Sequence, residues 1–199
     1  MIAWINLLVL ICTAILFLYF YVKSVQPAQL EKRIGEDAYS LCTRYRIIAS
    51  LLMGVTLISY VLFFYYPLPL PLPVSFPWSW WYSALLALFI AVPGGYLWVR
   101  GMRDAGEETL VVRKEHSLYK GIYAKIRHPQ ATGEITFWWV FAFLLNSPFL
   151  VLFSFVWIPI FYVVCLEEEK DLVIRYGDAY RNYRKNTGFL IPKKTHYSE

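Results

Sequence analysis

The sequence predicts an all-α integral membrane protein with about five transmembrane helices and a C-terminal interfacial amphipathic helix. Three observations carry that prediction. Hydrophobic residues make up 58% of the 199 positions and aromatics 19%, with a mean hydropathy of +0.45; this is too apolar for an ordinary soluble fold, so much of the surface must face lipid. The apolar residues also fall into long uncharged runs of bilayer-crossing length. Finally, the 19 Lys and Arg residues, set against 14 Asp and Glu, gather at the ends of those runs. That is the positive-inside pattern, and it argues against a basic nucleic-acid-binding face. The length suits a single domain over 1–199.

Residues 1–100 are expected to hold three spans. Ile2 to Val22 carries no charge, and without a basic leader or a small-residue cleavage site it reads as a retained span. Residues 23–46 are polar and contain Lys23, Lys32, Arg33, Arg44 and Arg46, which predicts a cytoplasmic loop. A second span runs from about Ile47 to Tyr66. Pro67-Leu-Pro-Leu-Pro-Leu-Pro73 then forbids a helix, and the uncharged, Trp-rich stretch to Tyr82 suits a rigid interfacial loop on the opposite side. The third span, about Trp80 to Val99, contains Pro93-Gly94-Gly95. This predicts a kink and either close helix packing or room for a ligand.

Residues 101–134 form a charged connector too long for a simple turn, so it should fold against something. Residues 135–166 read as a helical hairpin: Ile135–Leu145, a turn at Asn146-Ser147-Pro148, then Phe149–Leu166. Its first arm is short for a full span. Glu167-Glu168-Glu169 ends the apolar run. In the tail, 167–199, Leu172, Val173, Tyr176, Tyr180 and Tyr183 recur at helical spacing, which predicts an interfacial amphipathic helix. The charges of the loops then place the N-terminus outside and the C-terminus in the cytoplasm.

Polar chemistry concentrates on one side in this topology. Arg127-His128-Pro129 stands at the mouth of an apolar helix, where Arg and His are costly unless they bind something or find partners. Pro129 holds His128 out of helical geometry. The hairpin returns to its own side, so Arg127 and His128 can meet Glu167 and Glu168. For Glu169, a carboxylate that merely ends the span in water and one turned inward both stand open. The three cysteines, Cys12, Cys42 and Cys165, form no CxxC or zinc-like spacing and read as small buried hydrophobes. No metal site is expected. Nucleophile-elbow, Walker, GxGxxG and HExxH signatures do not occur.

Taken together, Gly121-x-Tyr123-x-x-x-Arg127-His128-Pro129-x-x-x-Gly133, the apolar hairpin, Glu167-Glu168-Glu169-x-x-Leu172, Tyr176-Gly177-x-x-Tyr180-x-x-Tyr183 and Ile191-Pro192 resemble the isoprenylcysteine carboxyl methyltransferase family. Membrane phospholipid methyltransferases are related to that family. The resemblance covers the chain from about Glu107 onward. It implies a non-Rossmann membrane enzyme that uses S-adenosylmethionine, with a cytoplasmic cofactor pocket closed by the C-terminal segment and a lipid-like acceptor that comes from the bilayer. Matched by motif, cofactor contacts fall on His116, Ser117, Leu118, Tyr123, His128, Pro129 and Glu168, and no catalytic residue is assigned. A carboxylate at Glu168 suits amino or ribose groups, and His128 can hydrogen-bond a carboxylate or a ring nitrogen. The Tyr123 ring can face the sulfonium cation.

Ala131 stands where the family commonly has Tyr, and Tyr162-Val-Val-Cys-Leu166 lacks the Arg that prenylcysteine enzymes carry before the carboxylates. The acceptor, lipidic or prenylated, carboxylate or amine, is therefore open. Membrane sterol and steroid reductases share Arg-His-Pro-x-x-x-Gly-Glu and Trp-Trp, matched by Gly133-Glu134 and Trp138-Trp139, so an NADPH-dependent reductase is the alternative enzyme. A non-enzymatic lipid-binding protein is a further one.

Overall fold

In lipid every backbone polar group must be satisfied within its own segment, and the apolar runs of this chain accordingly fold as helices. The computed structural model describes residues 1–114 and 120–193, with Glu108 as backbone alone. The helices in chain order are α1 (Ile2–Ser24), α2 (Pro27–Ile34), α3 (Asp37–Tyr65), α4 (Trp80–Ala105), α5 (Pro129–Leu144), α6 (Pro148–Phe153), α7 (Trp157–Tyr176) and α8 (Asp178–Asn186). Helices α1, α3, α4 and the continuous run Pro148–Tyr176 are long and apolar enough to cross a membrane. At 16 residues, α5 is a fifth apolar helix of roughly 24 Å, shorter than the bilayer's hydrocarbon core. Phe89 at 80% and Trp81 at 70% exposure are side chains such a bundle turns to lipid.

Three boundaries differ from the sequence expectation, each for a local reason. The polar segment 23–46 is not a loop: Pro27 starts α2, Gly35 ends it at φ +72, and α3 begins at Asp37, about three turns before its apolar part. Its charged residues lie along helices rather than in a connection. The carboxylates at 167–169 do not end the last span either, because α7 runs through them to Tyr176. The tail helix is divided for the same reason, since Gly177, at φ +55, stops α7 and α8 follows it.

Two helix pairs, α1 with α3 and α4 with α5, make the most extensive packing in the bundle. Polar groups reinforce the first pair, as they must where apolar contact alone does not drive association. Asn6 Nδ2 donates to the Ser59 carbonyl at 2.9 Å, and Thr56 Oγ1 donates to Thr13 Oγ1 at 3.0 Å. The second pair meets through glycines. A Cβ at Gly94 would stand 1.9 Å from Thr136 Oγ1, and one at Gly133 would stand 2.7 Å from the Gly94 carbonyl. The Pro93-Gly94-Gly95 run thus serves close packing, within an unbroken α4. Helix α7 closes the core with Trp157, which stacks on Trp138 at 4.3 Å and donates to Tyr60 Oη at 3.4 Å.

At the end of the bundle remote from Arg127, the proline-rich loop is pinned to the hairpin turn. Asn146 sits at φ +52. Its carbonyl accepts from Phe76 N at 3.2 Å, and its side-chain oxygen accepts from Ser83 Oγ at 2.5 Å. The glycine contacts set a stability test. Gly133→Ala is expected to cost about 2 kcal/mol, whereas Gly54→Ala, whose added methyl meets nothing within 4 Å, is expected to be neutral or slightly stabilising. Thermal midpoints in one detergent compare the two.

Candidate active site

The segment before α5 is held in place from both sides. Gly121, at φ +60, leaves room only for the Asp104 carboxylate, which accepts from Ile122 N at 2.7 Å. A short 3₁₀ turn, Gly121–Ala124, then buries Ile122 and Tyr123. On the other side the tail lies alongside: Arg127 N donates to the Gly188 carbonyl at 2.8 Å and His128 N to the Phe189 carbonyl at 3.2 Å. Thr132 Oγ1 donates to the Leu190 carbonyl at 3.0 Å, and Tyr183 Oη to the Tyr123 carbonyl at 2.6 Å. His128 is the N-cap of α5 at φ −127, ψ 61, with Pro129 as first helical residue, as a residue before proline should be.

An ion cluster sits at the centre. Glu169, 3% exposed, accepts from Arg127 Nε at 2.6 Å and lies 3.2 Å from His128 Nε2 and 3.6 Å from Arg184. His128 Nδ1 lies 3.1 Å from Glu168 Oε2. Both ring nitrogens therefore face carboxylates. Burial opposes a charge on His128, but Cys165, Glu168 and Glu169 together outweigh it and hold its pKa well above the ordinary 6.5, so the ring is an imidazolium at neutral pH. Arg127 also donates to the carbonyls of Arg184, at 2.8 Å, and Thr187.

This cluster forms one wall of a pocket whose atom-free space, mouth included, is about 970 Å³. Tyr123, His128 and Glu168 line it, together with Arg127, Gln130 and Tyr180. Glu168 reaches the wall with its side chain 33% exposed, while Glu169 lies behind it. The Tyr123 phenol accepts from Gln130 Nε2 at 2.9 Å, and burial, then Glu168, push its pKa well above the ordinary 10.0.

Of the residues singled out by motif, the structure brings Tyr123, His128 and Glu168 to one pocket. Pro129 is fully buried and starts α5, packed beside Gly101, away from the pocket wall. His116, Ser117 and Leu118 lie outside the described residues. Of the two readings open for Glu169, the inward one holds, because it is the buried partner of Arg127. A helical frame carried through the charges would have found it: Phe161, Cys165, Glu169 and Leu172 fall on one face of α7, and all are buried. Gln130 has no such sequence signal, and Tyr180 stands out only as part of the tail pattern, not as a pocket residue. Among the described residues no cluster of His, Cys, Asp and Glu could hold a metal ion.

Residues 82–179, from the start of α4 to the start of α8, match the family model described as Phospholipid methyltransferase. That stretch, 98 of the 199 residues, is similar to phospholipid methyltransferases. It is also similar to methanethiol S-methyltransferase of Pseudomonas deceptionensis, 33% identical over 79 residues that make up 36% of this chain and 26% of that one. The similarity thus spans about a quarter of that relative's length. Both names are those of methyltransferases, which the reductase reading does not explain. The matched stretch contains the Arg127-His128-Pro129 segment and all three carboxylates of 167–169.

The ion cluster sets two expectations. Glu169→Gln leaves the buried Arg127 charge without its counter-charge and is expected to lower stability by about 3 kcal/mol, read as the thermal midpoint in detergent. Because His128 has a folded pKa above its unfolded one, its stabilisation is complete below pH 6.5 and is lost as pH rises through the folded value. The thermal midpoint of wild-type protein is expected to fall on that alkaline limb, and His128→Gln is expected to flatten it.

Proposed function

We propose that this protein is an integral membrane methyltransferase that uses S-adenosylmethionine and acts on a lipidic or prenylated acceptor entering from the bilayer. The observation that carries the reading is the convergence of Tyr123, His128 and Glu168, from the family-matched stretch, on a single pocket at the polar end of an apolar bundle.

The donor set fits the cofactor. Glu168 presents a carboxylate at the pocket wall, suited to the amino or ribose groups of the cofactor. The imidazolium of His128, held on both nitrogens, orients that carboxylate. Tyr123 offers an aromatic face on which a sulfonium is stabilised by about 1 kcal/mol. S-Adenosylmethionine supplies the activated methyl group. The chain's own contribution is to hold the acceptor in line with that group and to keep water out, which suffices for a displacement in which opposite charges neutralise. The tail residues Gly188–Leu190, bonded to Arg127, His128 and Thr132, fix one side of the pocket.

Lys23, Arg100 and Arg103 end their spans on the pocket side, whereas the loop 67–79 at the other end carries no charge. This charge bias supports a cytoplasmic pocket, with the N-terminus outside and the C-terminus inside.

Calorimetric titration of the detergent-purified protein tests the proposal. S-Adenosylmethionine and its demethylated product are expected to bind in the micromolar range and NADPH not to bind. His128→Ala and Glu168→Ala are each expected to abolish that binding while the helical circular dichroism spectrum is retained. Binding of NADPH alone, or unchanged affinity in both variants, would refute the reading.

A further inference from the structure

The pocket has two unlike sides. Tyr21, Arg46, Thr109 and Gln130 also line a second space, the seam between the two helix pairs. There Met53 of α3, Trp98 of α4, and Glu134 and Phe137 of α5 stand along mostly apolar walls, around an atom-free space of about 1130 Å³, mouth included. Glu168 and Tyr180 line the pocket but not the seam. A group held between them therefore lies on the side where the ion cluster meets the tail.

Tyr180 has a hydroxyl that the fold does not use. Gly177, at φ +55, turns the chain between α7 and α8 and brings Tyr180 back beside the helix that carries Glu168. Tyr180 is 1% exposed, and its ring lies 5.6 Å from that of Tyr183. The phenols nearby are engaged within the protein: Tyr183 Oη donates to the Tyr123 carbonyl at 2.6 Å, and Tyr123 Oη accepts from Gln130 at 2.9 Å. Tyr180 Oη makes no hydrogen bond among the described residues. Buried hydroxyls are ordinarily paired, so one left over at a pocket wall calls for a ligand. Burial, then Glu169 and Glu168, push its pKa above the ordinary 10.0, so the phenol keeps its proton and acts as a donor.

One wall thus offers a carboxylate acceptor and a phenol donor, from two different helices. The groups of the cofactor suit that pair unequally. Its carboxylate would stand beside Glu168 and Glu169 as a like charge. Its ammonium has no lone pair with which to accept from a phenol. Vicinal hydroxyls donate as well as accept, and each rotates to meet its own partner.

We propose that Tyr180 is a binding residue for the cofactor's ribose, donating to one of the two vicinal hydroxyls while the other donates to Glu168. This rests on the S-adenosylmethionine reading above and deepens it. It adds a residue from outside the family-matched stretch and assigns Glu168 to the ribose rather than to the amino group. His128, whose Nδ1 lies 3.1 Å from Glu168 Oε2, fixes the carboxylate that the diol meets.

Tyr180→Phe tests the proposal, because it removes one oxygen and keeps the ring. That oxygen meets no described protein partner, so the thermal midpoint without ligand is expected to be unchanged; a marked fall would make the hydroxyl structural and overturn the proposal. Displacement of radiolabelled S-adenosylhomocysteine then compares three ligands: S-adenosylhomocysteine itself, 5′-methylthioadenosine, which lacks the amino-acid head, and the 2′,3′-dideoxy analogue of S-adenosylhomocysteine. The variant is expected to bind the first two about 10-fold more weakly than wild type, and the dideoxy analogue as well as wild type does. Unchanged affinity for S-adenosylhomocysteine would overturn the assignment of Tyr180. So would an equal loss with the dideoxy analogue, or a loss that spares 5′-methylthioadenosine, since either puts the phenol at another part of the cofactor. In each of these cases wild type still binds S-adenosylhomocysteine and the methyltransferase reading stands. Failure of wild type to bind it would overturn both.

Discussion

Everything at the polar end of this bundle depends on the carboxylate of Glu169. It is 3% exposed, on a helix whose earlier turns are apolar, and such a group survives only with its charge answered. Arg127, His128 and Arg184 converge on it from three parts of the chain. The segment before α5, the end of α7 and the tail after α8 are thereby drawn to one point. Arg127 then spends its remaining donors on tail carbonyls. The tail's backbone in turn pairs with the backbone of Arg127 and His128. One buried charge organises three segments because the cost of leaving it unpaired exceeds the cost of ordering them.

That arrangement also explains why neighbouring glutamates differ. Glu169 faces inward and is consumed by structure, whereas Glu168, rotated one residue around α7, reaches the pocket wall. His128 touches both, at 3.1 and 3.2 Å, and so links the structural carboxylate to the one proposed to bind cofactor. In the proposed reading, a positive ring fixed on two sides gives Glu168 a defined orientation before any ligand arrives.

The bundle separates polar from apolar space by the way its helices pair. Glycines let α4 and α5 approach until Gly133 meets the Gly94 carbonyl, and hydroxyl and amide groups join α1 to α3. Packing so close within pairs leaves the seam between them, and the seam joins the pocket at Tyr21, Arg46, Thr109 and Gln130. Close packing in one place is thus what leaves space in another.

Much of this was legible in one dimension. Long uncharged runs in α1, α3 and α4, Pro129 at a helix start, and the Asn146-Ser147-Pro148 turn are local consequences of hydropathy and backbone sterics, which need no partner to act. The Arg-His-Pro segment and the carboxylates also announced themselves, because charge beside hydrocarbon demands an explanation. Element ends were less legible: α3 and α7 extend through charged residues, since a helix already propagating in packed surroundings does not stop where hydropathy falls. Which glutamate is buried, which side chain completes the pocket wall, and that Glu134 looks onto a seam rather than into packed core depend on helix rotation and on contacts between residues far apart in the chain. By itself the sequence determined a membrane-embedded helical chain with a reactive-looking polar end. Only the tertiary structure decided how that end divides into an ion cluster, a pocket and a largely apolar seam, because burial and pairing are properties of neighbours in space.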